Sequence, residues 1–268
     1  MGRKETRMKK AALVMVALAL SLMAVSALAQ DFQRNYALGA GARVSVKNVS
    51  GDIAVSGYEG RDVVVAAFKE GPDRDLVQVE DQSTAQGLAL SVRYPERGRC
   101  NASVRFELRV PWNLELTFDS LSNASGDISI EAVKGAVHAR TASGNVKVQQ
   151  AEGTIDVSTA SGDVTVRGVV GVVNARTASG NVDVELLRQV SGSDMKFSSA
   201  SGDVIVKMPG NLDAYVEMST ASGVLRSDFP LTIEDRDEGR GKKAHGRLGA
   251  GSSQLKLSSA SGDVRLIR

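Results

Sequence analysis

Reactive and cross-linking residues are scarce in this chain. Cys100 is its one cysteine, so no intrachain disulfide can form even in an oxidising compartment, and stability has to come from packing. The two histidines, His138 and His245, are too few and too far apart in sequence to hold zinc with a single cysteine. Neither has a local arrangement of the kind a Ser-His-Asp or Cys-His site requires. Aromatic side chains make up 4% of the residues, so the core must be built from Val, Ile, Ala and Leu. The shortage of such parts argues against an enzyme. No catalytic, cofactor-binding or metal-binding residue is assigned, and no cofactor is expected.

The first residues differ from all that follow. Arg3, Lys4, Arg7, Lys9 and Lys10 form a basic start, Ala11 to Val25 is an apolar run, and Ala27-Leu28-Ala29 before Gln30 fits the small-x-small rule of a signal peptidase. Cleavage after Ala29 is the expectation, because the apolar run is short against the ~20 residues that span a bilayer. Without a cysteine at its end, a lipid anchor is not expected, and the segment meets a membrane only if it stays uncleaved. It carries five of the 33 basic residues and one of the 31 acidic ones, so the mature chain holds two more acids than bases. The basic balance of the whole chain thus belongs to the signal, and nucleic acid is not expected as a partner.

Glycine carries the strongest pattern. Gly126, Gly135, Gly144, Gly153, Gly162, Gly171 and Gly180 are evenly spaced, and alternate ones follow serine. The unit is 18 residues, written Asn123-Ala-Ser-Gly-Asp127, Thr141-Ala-Ser-Gly-Asn145, Thr159-Ala-Ser-Gly-Asp163 and Thr177-Ala-Ser-Gly-Asn181. It returns at wider spacing as Ser199-Ala-Ser-Gly-Asp203, Thr220-Ala-Ser-Gly-Val224 and Ser259-Ala-Ser-Gly-Asp263, with an early echo in Asn48-Val-Ser-Gly-Asp52. Between glycines, β-branched residues alternate with polar ones, the period of a half-buried strand. The inward pairs are Ile128/Ile130, Val146/Val148, Val164/Val166, Val182/Val184 and Val204/Val206 after Ser-Gly, and Val137/Ala139, Ile155/Val157 and Val173/Ala175 after the other glycines.

A two-strand unit of this kind cannot bury its apolar face alone, so stacked coils sharing one core are implied. The expected fold is all-β: a parallel β-solenoid, or β-helix, of about 18-residue two-strand coils with two glycine corners each, and a non-repetitive β-rich N-terminal part. The expected divisions are a signal peptide over 1–29, an N-terminal β-rich part or cap over 30–120 and solenoid repeats over 121–233. A charged, Gly-rich flexible loop over 234–250 and a final β rung over 251–268 complete the chain. The residue after Ser-Gly alternates through Asp127, Asn145, Asp163, Asn181 and Asp203. Stacked carboxylates about 5 Å apart would repel by about 1 kcal/mol in water. Alternation with Asn removes that repulsion and keeps a turn-capping oxygen in every coil.

The early Asn-Val-Ser-Gly-Asp, the segment Val110 to Leu114, the ladder of Thr-Ala-Ser-Gly-Asp/Asn turns and the final Ser-Gly-Asp together resemble the bacterial putative-adhesin β-strand-repeat family, a domain of unknown function. The likeness spans residues 31–268. It implies a parallel β-helix-like domain of exported or membrane-attached bacterial proteins, and it brings no catalytic residues.

Other motifs have structural explanations. The Ser-Gly pairs lack the Gly-x-Ser-x-Gly frame of a nucleophile elbow. A calcium β-roll needs Gly-Gly-x-Gly-x-Asp in each nonapeptide, whereas glycine here is single and the acid alternates with Asn. The Asn-x-Ser sequences at Asn48, Asn101 and Asn123 read as turn chemistry, and Cys100 as a lone thiol near a loop. Trp112, after Pro111, is expected to pack where the N-terminal part meets the first coil, with an exposed sugar-stacking role as the alternative. The function expected is an exported, non-enzymatic structural or interaction protein of the bacterial envelope, whether periplasmic, cell-surface or secreted. Its partner would be a protein or polysaccharide of that envelope or surface. Alternatives are a polysaccharide-binding or carbohydrate-active β-helix enzyme, and a self-assembling solenoid filament.

Overall fold

The computed structural model describes residues 31–235 and 241–268, and the segment read as an export signal lies outside them. Alternating β-branched residues become strand almost throughout, and the described residues form a sheet system of 22 strands with one short 3-10 turn, Arg74–Leu76. The strands build a parallel solenoid in which each coil places one strand in a first wall and one in a second.

Nine coils stack. In spatial order the first four are Gly87–Arg93 with Ser103–Pro111, Arg43–Lys47 with Ile53–Tyr58, Glu115–Ser125 with Ile128–Glu131, and Lys134–Ser143 with Val146–Gln149. Next come Glu152–Ser161 with the start of Val164–Ser179, and the remainder of that long strand with Val182–Gln189. The last three are Met195–Ser201 with Val204–Lys207, Ser253–Ser261 with Val264–Ile267, and Ala214–Ser222 with Leu225–Ser227. At about 4.8 Å per coil the stack is roughly 40 Å long.

Every inward pair named from the alternation is buried, from Ile128/Ile130 through Val204/Val206 on the second wall and from Val137/Ala139 to Val173/Ala175 on the first. The middle coils are filled by Val, Ile and Ala, with Leu186 the one addition among them. Towards the ends the core takes larger side chains, with Phe106, Phe118 and Phe197 fully buried.

The β-rich N-terminal part, irregular in sequence, contributes two coils as well as a cap. In both end regions spatial order departs from chain order. The coil from Arg43 lies inside the later coil from Gly87, and the rung over 251–268 lies between the coils from Met195 and Ala214. This final rung in sequence is therefore the penultimate one in space.

Antiparallel strands cover three of the four outermost edges. Gln78–Asp81 pairs with the first coil on one wall, Val63–Glu70 followed by Phe32–Tyr36 on the other, and Lys242–Leu248 followed by Thr232–Asp235 covers the coil from Ala214. On those three edges the parallel stack ends and antiparallel pairing takes over. The stretch 234–250, expected as a flexible loop, thus contains the strand Lys242–Leu248 and the end of Thr232–Asp235, paired antiparallel. Its strand was hidden because only Ala244 and Leu248 of Lys242–Leu248 face the core. At the N-terminal end the Tyr36 hydroxyl donates to Asp81 at 2.8 Å and Arg34 pairs with the same carboxylate, tying the outermost strands of both walls together. Burial and the Asp81 contact push the Tyr36 hydroxyl up to about 12. Burial alone would raise the Asp81 carboxyl, but hydrogen bonds from Ser83, Tyr36 and Arg34 outweigh it and hold it below the ordinary range.

The glycines divide into two classes. Those after serine make the expected corner. Gly135, Gly153 and Gly171, expected at a second corner, instead lie within strands, and the turn falls three residues earlier, at Ala132, Gln150 and Gly168, with φ of 54, 52 and 68°. What the corner glycines provide is proximity. A Cβ on Gly144 would sit 2.1 Å from the Gly126 carbonyl oxygen, on a backbone with φ of 147°.

Gly144→Ala is expected to lose more stability than Gly192→Ala. Gly192 also has positive φ (75°) but has open space around its Cα, so its loss is limited to the conformational cost of about 1–2 kcal/mol. Equal shifts in denaturation midpoint would contradict the close-approach explanation.

Candidate functional site

The corner after Ser-Gly is the surface that repeats most regularly from coil to coil. Its construction decides which polar groups remain free to meet a partner. Two hydrogen-bonded rows run along it, both missed by a reading confined to single turns.

In the first row a side chain three residues before the corner donates to the carbonyl of the preceding coil's corner. Asn48 Nδ2 reaches Val104 O at 2.7 Å and Asn123 Nδ2 reaches Gly51 O at 2.6 Å. The hydroxyls of Thr141, Thr159, Thr177 and Ser199 reach the carbonyls of Gly126, Gly144, Gly162 and Gly180 at 3.1, 2.9, 2.9 and 2.8 Å. Ser259 and Thr220 do the same for Gly202 and Gly262, both at 2.8 Å. All eight donors are buried. A buried carbonyl left unpaired costs about 1–3 kcal/mol, which is why each unit keeps a hydroxyl or amide there. That recurrence was the available signal in the sequence.

In the second row the side chain after Ser-Gly accepts the next coil's N–H. Asp52 Oδ1 accepts from Asp127 N at 2.9 Å, Asp127 from Asn145 at 2.7 Å, Asn145 from Asp163 at 2.9 Å and Asp163 from Asn181 at 2.7 Å. Asn181 accepts from Asp203 at 2.9 Å, Asp203 from Asp263 at 2.8 Å and Asp263 from Val224 at 2.9 Å. The alternation of acid and amide holds through the middle coils. It fails at both ends, where Asp52 stacks on Asp127 and Asp203 on Asp263. At the latter the Val224 N–H, followed by the Arg265 guanidinium, holds the Asp263 carboxyl below the ordinary range. These oxygens are turned along the stack towards amides and not towards a common point. Among the described residues no three His, Cys, Asp or Glu side chains converge.

The outward faces of the walls carry paired charges. On the second wall Arg167, Glu185 and Lys207 stack in register, yet Arg167 bonds diagonally to Asp183 at 2.6 Å, while Lys207 meets Glu185 at 3.2 Å. On the first wall Asp156 takes Arg176 at 3.3 Å and lies 3.9 Å from His138, and Lys256 meets Glu217 at 3.3 Å. Exposed pairs of this kind add about 0–1 kcal/mol each, so they tune the surface more than they hold the fold. His138 lies on an outward strand face as expected. His245, expected in a loop, lies on Lys242–Leu248 opposite Glu217, far along the stack from His138. Cys100 is half-buried and unpaired, packed against the core just before the first coil's second-wall strand.

Trp112 departs from expectation. The residue is 56% exposed. Trp112, Asn113, Ala132, Val133, Lys134, Gln150 and Glu152 line an open cleft of about 370 Å³.

The Toastrack DUF4097 family model matches residues 35–267. No curated protein matches this chain. Among solved structures it is similar to a putative adhesin from Bacteroides fragilis, with 16% identity over 88% of this chain and 96% of that one at a TM-score of 0.43. A putative adhesin from Parabacteroides distasonis shows 11% identity over 87% of this chain and 96% of that one, at a TM-score of 0.36. A putative cell adhesion protein from Clostridium sporogenes shows 9% identity over 88% and 98%, at a TM-score of 0.33.

Asn145→Asp would place an unbroken run of acids from Asp52 to Asp163 on the corner. Mutual repulsion raises carboxyl pKa values in the folded state, so the loss of stability appears above those values. It fades as pH falls from those raised values to the ordinary carboxylate value of about 3.9, and is absent well below it. The expected loss is about 1 kcal/mol at pH 7 and low salt, smaller in high salt. Denaturation curves that show the same loss at pH 3.5 and pH 7 would rule out a charge-spacing role for Asn145.

Proposed function

The chain belongs to the Toastrack DUF4097 family, and from that membership and its surface we propose that it is an exported, non-enzymatic interaction protein of the bacterial envelope. The observation that carries this reading is the continuity of the two walls across nine stacked coils. Corner oxygens bond along the stack, and outward charges bond to neighbouring coils. Such a surface is rigid and regular, suited to holding a partner across several coils. Repeat proteins use extended, stacked surfaces in this way. Export is supported by the basic start, apolar run and Ala27-Leu28-Ala29 of the N-terminus. The partner is a protein or polysaccharide of the envelope or cell surface.

The test is capture from envelope fractions by the purified protein, compared with a variant in which Arg167, Asp183, Glu185 and Lys207 are all replaced by serine. Removing exposed pairs as pairs leaves the fold intact, because each contributes about 1 kcal/mol or less. The variant is expected to lose the partner that the parent captures. Full capture by this variant and by its counterpart on the first wall would refute the reading. So would turnover of a polysaccharide abolished by a single Asp or Arg change, which would place the protein among carbohydrate-active enzymes.

A further inference from the structure

We propose that the Trp112 cleft is a binding subsite for an uncharged pyranose ring of a glycan. It lies at the second corner, away from the wall charges invoked for partner capture, and goes beyond that reading.

The indole is presented on a fixed base. The backbone N–H of Trp112 donates to Tyr58 O at 3.2 Å, the backbone N–H of Leu114 closes the turn to Pro111 O at 3.0 Å, and Pro111 is buried. Gly57 lets the neighbouring corner approach closely, since a Cβ there would meet the Ala132 carbonyl oxygen at 2.0 Å. An indole of this size is ordinarily removed from water to a large extent. Here the only tryptophan is 56% exposed while three phenylalanines are fully buried.

The walls of the cleft supply matching chemistry. Ala132 and Val133 form an apolar side. The side-chain amides of Asn113 and Gln150 make no hydrogen bond within the described residues, leaving donors and acceptors on the rim. Lys134 and Glu152 lie 3.8 Å apart and offset each other's charge, so the rim is neutral overall. Gln150 keeps a side chain despite its left-handed φ of 52°, at the position where the next coil places Gly168. A pyranose ring has an apolar C–H face and a rim of hydroxyls, and one aromatic face beside two free amides is complementary to both. The volume of about 370 Å³ falls at the lower end of small-molecule sites, which run from about 300 to 1,000 Å³. A protein partner would need about 800 Å² of contact on each side, far beyond this cleft.

Because Trp112 is the sole tryptophan, its fluorescence reports this position alone. Titration of the purified protein with cellotriose, maltotriose and chitotriose is expected to give a saturable change with at least one of them, with trigalacturonate binding no tighter. Gln150→Gly, a residue the next coil already accepts, is expected to weaken that binding by about threefold. Trp112→Ala, followed by calorimetry, is expected to weaken it by about tenfold, equivalent to about 1.4 kcal/mol. No saturable change with any neutral trisaccharide overturns the proposal, as does unchanged affinity in both variants. It is equally overturned if the fluorescence shifts with protein concentration and not with sugar, since the cleft would then be a contact between copies. Envelope capture through the wall charges is read separately, so either result can fail without the other.

Discussion

The contact on which everything else depends is that of one corner carbonyl against the next corner's Cα, too close for any side chain to intervene. Eight successive coil interfaces use it, from Val104 and Gly51 through Gly262 and Gly223. A glycine there lets the walls come to hydrogen-bonding distance. The carbonyl so enclosed needs a donor, and the buried Thr, Ser or Asn of the following coil provides it. The amide beyond needs an acceptor, which the Asp or Asn of the preceding coil provides.

These dependencies have a direction. Each corner glycine is required by the coil before it, and each Asp or Asn serves the coil after it. The first coil in space has none before it, and Val104 occupies its glycine position. The last has none after it, and Val224 occupies its Asp/Asn position. Both ends of the stack are therefore written in the sequence as the loss of one partner each. Beyond them, on three of the four outermost edges, the parallel order gives way to antiparallel strands.

The middle of this fold was legible because its units follow one another without insertions, so the period, the inward pairs and the charge alternation were all visible from residue 123 to 185. The outer coils were obscured by the segments that separate their halves or displace them in the chain. The Asn101-Ala-Ser-Val-Arg105 corner had lost the glycine by which it would have been recognised. Nothing local indicates that the last rung inserts between two earlier coils, since pairing between non-successive coils leaves no mark on either. Lys242–Leu248 escaped notice for a different reason: a cap strand with one thin apolar edge has little alternation to detect. The surroundings of Trp112 were illegible too, because Ala132, Val133, Gln150 and Glu152, which share its cleft, belong to other coils. That Gly135, Gly153 and Gly171 lie beyond the turn, and not in it, follows from stacking distance and not from any turn signature.

If the whole coil is the structural unit and the corner rows join each coil to the next, the protein should accept extra coils only in whole numbers. Duplicating residues 145–180 in place adds two complete units and preserves the alternation of Asp and Asn. The duplicated protein should unfold in a single transition at a denaturant midpoint no lower than the parent's. Duplicating residues 172–180 adds half a unit, exchanges the walls of every later strand, and should leave the C-terminal coils unfolded. Equal stability of the two insertions, or failure of the first to fold, would contradict the account.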